Sequence, residues 1–299
     1  MKIPVIDLFA GPGGLSEGFS SYMHKTSKNS FNIALSIEKD QVAHKTLKLR
    51  SFFRQFKGKK PLEYYKYLRG EIGREKLFAL YPKESLRASQ EAWCFELGAG
   101  NHAAVRKRIC SVLGATKKWI LIGGPPCQAY SVVGRSRMKS VNPKDFEKDH
   151  RHFLYKEYLR ILTDHKPPVF VMENVRGLLS SKINGKLIFD KILTDLKSPL
   201  KTLGKNNGLK YKIYSLVKDA DDVDFEEGKD CLIKAEQYGI PQCRHRLILI
   251  GVREDLKVKP VLLKKAPQVV RLKDVICDLP KLRSGLSKGE DSFELWIDA

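Results

Sequence analysis

An α/β fold with a mostly parallel sheet covered by helices on both faces is predicted by three observations. Short apolar runs alternate with amphipathic stretches along most of the chain. The clearest apolar runs pass directly into Gly-rich, Pro-rich or acidic turns, as strand ends do in sheets of this class. Hydrophobic residues make up 42% of the 299 residues, enough for a sizeable core. Ile3–Phe9 reads as a buried strand, followed by a Gly-rich turn and a helix. Phe31–Glu38 is a second strand, Trp93–Leu97 a short third, Trp119–Gly123 a fourth and Val169–Glu173 a fifth. The alternating run Tyr211–Val217 gives a sixth, and Arg246–Gly251 an apolar seventh. Helical periodicity falls between them, over Arg151–Thr163 and Gly185–Lys197.

Three segments interrupt this rhythm. Residues 45–92 are long for a connection and rich in Lys, Arg and aromatics, which predicts a basic helical insertion after strand two. The simpler reading is a solvated helical pair with its own small core; the sharper one is an accessory nucleic-acid surface, since aromatics among cations suit stacking and phosphate contact. Asp219–Asp230 is acidic and loop-like. The last fifty residues are basic and weakly periodic, so the expected division is a domain over residues 1–251 and a basic linker over residues 252–299.

Composition narrows the function class. Fifty-five Lys and Arg against 34 Asp and Glu leave a net charge of +21, which favours a polyanionic partner. The six cysteines (94, 110, 127, 231, 243 and 277) form no C-x-x-C pair, which argues against a compact zinc module or a disulfide scaffold and suits a reducing compartment. No apolar run approaches membrane-spanning length, and the N-terminus lacks a signal-peptide layout. A cytoplasmic protein without a metal or membrane partner is expected.

Four strand ends carry chemistry. Asp7-Leu8-Phe9-Ala10-Gly11-Pro12-Gly13-Gly14 is a strand ending in a glycine turn that opens a helix, where free amides can meet a ligand. Alone, such a turn also occurs in many nucleotide sites and in plain loops. Glu38 ends strand two, where an acid can accept from ribose hydroxyls or simply face solvent. Gly123-Gly124-Pro125-Pro126-Cys127-Gln128 is a stiff loop that presents a cysteine at the carboxyl edge, outside any apolar element, which suits a nucleophile. Glu173 emerges from a core strand in Met172-Glu173-Asn174-Val175; partial desolvation there favours the protonated form, able to donate to a ring nitrogen. In Gln242-Cys243-Arg244-His245-Arg246, the two arginines point the same way in extended chain and can hold a thiolate, a phosphate or a carbonyl.

In this order and at these strand ends, the four segments resemble the S-adenosylmethionine-dependent cytosine-5 methyltransferases. Phe9, Gly11 and Gly13 match the family's FxGxG, Pro126-Cys127-Gln128 its nucleophile loop, Glu173-Asn174-Val175 its Glu-Asn-Val, and Gln242, Arg244 and Arg246 its QxRxR. Ala129–Arg135 looks like the bacterial DNA enzymes rather than the tRNA-modifying branch. The resemblance implies a Rossmann-like class I methyltransferase fold and methyl transfer to carbon 5 of a flipped-out cytosine in DNA, within a restriction–modification system. Cys127 would attack carbon 6, Glu173 donate to ring nitrogen 3, Arg246 hold the ring carbonyl and Arg244 support it. Phe9, Ala10, Gly11, Gly13, Gly14, Glu38, Glu96 and Pro126 would bind S-adenosylmethionine, with Glu96 where the family usually has Asp. Gln128, Ser131 and Gln242 would contact double-stranded DNA.

The resemblance also implies something missing. Family members continue into a target-recognition domain and a C-terminal segment, and Lys273–Pro280 looks like the linker that leads there. A second subunit or a further segment is expected to carry recognition. His150-Arg151-His152 replaces the family's usual Arg-Gly. The alternatives are an RNA (tRNA) cytosine-5 methyltransferase and a catalytically silent nucleic-acid-binding module.

Overall fold

Alternating buried and polar faces organise the chain around one sheet in a computed structural model that describes residues 2–23, 30–126, 154–183, 185–204, 208–219, 228–279 and 292–297. Contacts divide the chain into two units, Met1–Ile233 with His245–Leu263, and Lys234–Arg244 with Lys264–Ala299. The first begins with β1 (Ile3–Leu8), α1 (Gly14–Ser21) and β2 (Phe31–Glu38). Four helices follow: α2 (Gln41–Gln55), α3 (Leu62–Leu68), α4 (Arg74–Leu80) and α5 (Pro82–Glu91). Then come β3 (Ala92–Cys94), α6 (His102–Leu113), β4 (Ile120–Gly123), α7 (Leu154–His165) and β5 (Val169–Val175). A small hairpin of β6 (Lys182–Ile183) and β7 (Lys186–Leu187) leads to α8 (Ile188–Lys197), α9 (Pro199–Thr202), β8 (Tyr211–Tyr214), β9 (Leu232–Lys234) and β10 (His245–Arg253). The second unit carries two short helices, α10 (Leu272–Ile276) and α11 (Phe293–Ile297).

The main sheet has eight strands in the order β3-β2-β1-β4-β5-β10-β8, with β9 pairing β10. The β3-β2-β1-β4-β5 half is parallel throughout. β10 runs antiparallel to both β5 and β8. Val5, Ile6 and Leu8 of β1 are fully buried, as expected of a central parallel strand covered on both faces. Two glycines set the spacing. Gly251 lies opposite Phe170, and a Cβ there would fall 2.0 Å from the Phe170 ring, so only glycine lets that ring lie across β10. At Gly123 a Cβ would fall 2.6 Å from the Leu8 carbonyl oxygen, which keeps β4 close against β1.

The expected architecture is present with three adjustments. The sequence predicts seven strands; β9, three residues long, is too short for periodicity to reveal. Strand three ends at Cys94 rather than Leu97 because Phe95 and Leu97 turn off to line a cleft, although the Phe95 amide still donates to the Glu38 carbonyl. Strand six ends at Tyr214 because the Ser215 hydroxyl accepts from the Val217 and Lys218 amides, turning the chain. The insertion after strand two is helical, with Phe52, Leu77 and Ala88 buried beneath Phe56, Tyr64, Tyr67, Phe78 and Tyr81. Asp40 caps α2 by accepting from the Ala43 amide at 2.7 Å. Most of the acidic stretch expected as a loop, residues 220–227, lies outside the described residues.

Candidate active site

The carboxyl ends of β1, β2 and β4 converge on a cleft of about 340 Å³, in the usual range for a small-molecule site. Phe9, Ile37, Phe95 and Leu97 form apolar walls, and Glu38 supplies a carboxylate. The glycine turn is shaped by three departures from ordinary backbone, at alternate residues. Phe9 has φ 54°, Gly11 55° and Gly13 89°, all in the region where side chains other than glycine cost energy. At Gly13 a Cβ would also fall 2.8 Å from Leu47 Cδ1, so this glycine lets α2 pack against the turn.

Glu38 fastens the turn to β2. Its Oε2 accepts from the Gly11 amide and its Oε1 from the Asp40 amide, each at 2.7 Å. Each oxygen keeps a further lone pair for a ligand donor. Beneath the turn, Asp7 is fully buried and accepts from the Ser16 hydroxyl at 2.6 Å, tying β1 to α1. Burial pushes the Asp7 carboxyl up to about 7, against the lowering effect of Ser16 and Arg54. Glu96 is exposed and pairs with Lys39 at 3.1 Å, and the wall on either side of it is made by Phe95 and Leu97.

A second group of side chains adjoins this cleft. Glu173 on β5 and Arg246 on β10 form an ion pair, Nε to Oε1 2.9 Å, with both side chains about three-quarters buried (24% and 28% exposed). The antiparallel register explains it: Glu173 faces Ile248, which puts Arg246 on the adjacent diagonal of the same face. Arg246 also donates from Nη1 to the His245 carbonyl at 2.8 Å. Gly124 joins the two groups. It lines the cleft, and a Cβ on it would fall 3.0 Å from Glu173 Oε2. Pro126, one residue before Cys127, lines the cleft as well. The buried Asn174 donates from Nδ2 to the Pro125 carbonyl at 3.4 Å, holding this loop to β5.

The model of the C-5 cytosine-specific DNA methylase family matches residues 101–293. The chain belongs to that family. The chain is 33% identical over 303 residues to the Type II methyltransferase M.Bpa9945I of Bacillus paralicheniformis, covering 93% of this chain and 61% of that relative. It is 25% identical over 286 residues to the Type II methyltransferase M.DdeI of Desulfomicrobium norvegicum, covering 94% of this chain and 49% of the relative. The chain thus spans about half to three-fifths of these relatives' length. A solved structure described as a DNA modification methyltransferase encoded within an E. coli prophage superposes with a TM-score of 0.50 at 23% identity, covering 97% of this chain and 59% of that one, and supports the fold.

Of the expected site residues, Phe9, Glu38 and Pro126 line the cleft, Gly11 and Gly13 shape the turn beside it, and Ala10 and Gly14 lie within that turn and at the first position of α1. Glu173 and Arg246 are paired. Gln242 and Arg244 are exposed in a loop of the second unit, where the Arg244 amide donates to the Gln242 carbonyl at 2.8 Å. Cys127, Gln128 and Ser131 lie outside the described residues. The sequence reading passed over Asp7, Ser16, Phe95, Leu97 and Asn174. Only Asn174, within the Glu-Asn-Val motif, carried a usable signal.

Among the described residues no helix is long and apolar enough to cross a membrane, and no group of three His, Cys, Asp or Glu is placed to hold a metal ion.

Proposed function

We propose that this chain is the cofactor-binding and catalytic part of a DNA cytosine-5 methyltransferase of the restriction–modification kind, using S-adenosylmethionine. The observation that carries the reading is the shared edge at Gly124, with a cleft of cofactor size on one side and the Glu173–Arg246 pair on the other. The residues fit the cofactor. Phe9, Ile37, Phe95 and Leu97 offer apolar surface to an adenine, Glu38 offers acceptor lone pairs to ribose hydroxyls, and the glycine turn leaves room for the chain beyond. When bound, the cofactor supplies an electrophilic methyl group on sulfur.

This chain's own residues prepare the base. Cytosine carbon 5 is a weak nucleophile, and covalent attack at carbon 6 makes it a strong one. The Cys127 thiolate would form that bond while ring nitrogen 3 takes a proton drawn from solvent and relayed through Glu173. After methyl transfer, water would take the proton on carbon 5, the C5–H electron pair would re-form the C5–C6 double bond as the thiolate leaves, and nitrogen 3 would return its proton through Glu173 to solvent. Arg246 first holds the Glu173 carboxylate in place, and the incoming ring carbonyl then competes for the same guanidinium. A base inside a duplex cannot reach this edge, so it must be everted. The surplus of +21 suits the phosphate backbone of double-stranded DNA. Target recognition is proposed to come from polypeptide beyond these segments, on the same chain or a second subunit, in keeping with the greater length of the relatives.

The test is mechanism-based trapping. With S-adenosylmethionine and a partner supplying recognition, a 5-fluorocytosine duplex should form an adduct stable to denaturation, and Cys127→Ser should abolish it while leaving cofactor binding intact. An adduct on tRNA and none on duplex DNA would refute the substrate assignment.

A further inference from the structure

The helical insertion carries a charge imbalance with a defined local centre. Residues 45–92 hold thirteen Lys and Arg against five Glu. Three of those acids are engaged within the fold. Glu63 accepts from the Tyr81 hydroxyl at 2.6 Å, Glu91 from Arg54 at 2.5 Å, and Glu71 pairs with Arg69. The cations on the α2–α4 face have no such arrangement. Lys48 on α2 and Arg74 at the start of α4 both lie against the ring of Phe78, at 5.2 Å and 5.0 Å from its centroid. Among the described residues neither is within ion-pair distance of a carboxylate, and nor is Lys45 one turn earlier. The fold fixes this crowding. Arg74 donates from Nη2 to the Lys45 carbonyl at 2.6 Å, and Phe78 is wedged against Phe52 at 4.9 Å. Burial first, and then the Arg74 guanidinium, holds the Lys48 ammonium below the ordinary lysine range.

Two cations pinned on one ring with no carboxylate nearby repel each other, and an external anion relieves the repulsion. The site lies on the first half of α2. That helix is capped by Asp40, a residue lining the cleft, and at 1.5 Å per residue Lys45 and Lys48 are about 7 and 12 Å along the axis from it. We infer that Lys45, Lys48 and Arg74 form a phosphate-binding patch that grips the sugar–phosphate backbone of the DNA flanking the target base. This rests on the proposed DNA substrate and extends it, because the patch reads no bases and adds affinity that is independent of sequence.

The experiment compares the full chain, the variant Lys45→Gln/Lys48→Gln, and the control Lys117→Gln/Lys118→Gln. The control removes equal charge from exposed residues just before β4, at the opposite edge of the sheet. Affinity for a duplex oligonucleotide is measured against salt. Each lost phosphate contact lowers the slope of log K on log salt by about 0.9. The patch variant should therefore lose about 1.8 from the slope and bind tens of fold more weakly near 0.1 M salt, by a similar factor on unrelated sequences. The control should match the parent. Wild-type slope and affinity in the patch variant, with unchanged circular dichroism, would overturn the inference. So would an equal loss in the control, or a loss seen on RNA and absent on duplex DNA. Trapping with 5-fluorocytosine DNA at saturating duplex separates this inference from the function it rests on: the patch variant should still form the adduct, whereas failure of the functional reading shows as no adduct in the parent chain.

Discussion

Replacing Asp7 with Asn isolates the cost of a buried carboxyl under the glycine turn. Asp7 is fully buried, its Oδ2 accepts from Ser16, and its Oδ1 has no hydrogen-bond partner among the described residues. Burial raises it from 3.8 to about 7, a gap worth on the order of 4 kcal/mol at 1.36 kcal/mol per pH unit. A raised acid binds its proton more tightly in the folded state, so the folded chain holds more protons than the unfolded one between those two values. Stability is therefore undiminished below about pH 4, falls as pH rises through the window, and levels off above pH 7. Asn keeps an acceptor for Ser16 and cannot ionise. Urea denaturation of both proteins from pH 5 to pH 8 should show the variant gaining roughly 3 kcal/mol on the parent across that range. Parallel stability curves would refute the reasoning, because they would mean that Asp7 titrates as an ordinary exposed carboxyl.

Three further outcomes follow from named contacts. Glu173→Gln leaves Arg246 without its charge partner and removes the proposed proton donor; methyl transfer should fall by roughly 10² to 10⁴ while calorimetric cofactor affinity is unchanged. Gly13→Ala forces a Cβ against Leu47 at φ 89°, a strain of about 1–2 kcal/mol, so stability in urea denaturation should drop by about that amount. Phe52→Ala empties the centre of the insertion's core and should cost about 3–5 kcal/mol in denaturation.

The parallel half of the sheet was legible because its strands are mostly apolar runs ending in conspicuous turns. Glu38 was legible in position, but its bond from the Gly11 amide depends on how the glycine turn folds back over β2, which no spacing along the chain encodes. The Glu173–Arg246 pair shows the same limit. Each residue stands out in its own motif, whereas their contact comes from the antiparallel register of β10 on β5 across seventy residues of intervening chain. Phe95 and Leu97 fall within the run Trp93–Leu97 expected as the third strand, whereas the wall they form belongs to tertiary packing. Asp7 falls inside the run Ile3–Phe9 expected as a buried strand, and the packing shows its carboxyl fully enclosed there.

The reversal of β10 bears on what later changes in the chain can reach. A strand running with its neighbours would meet the ligand edge only as the chain left the sheet, so whatever followed would shape the reactive centre. β10 meets that edge on arrival and departs from the opposite rim at Arg253. Changes in the polypeptide after Arg253 therefore fall at the rim away from Glu173 and Arg246, and leave the register that pairs those two side chains untouched.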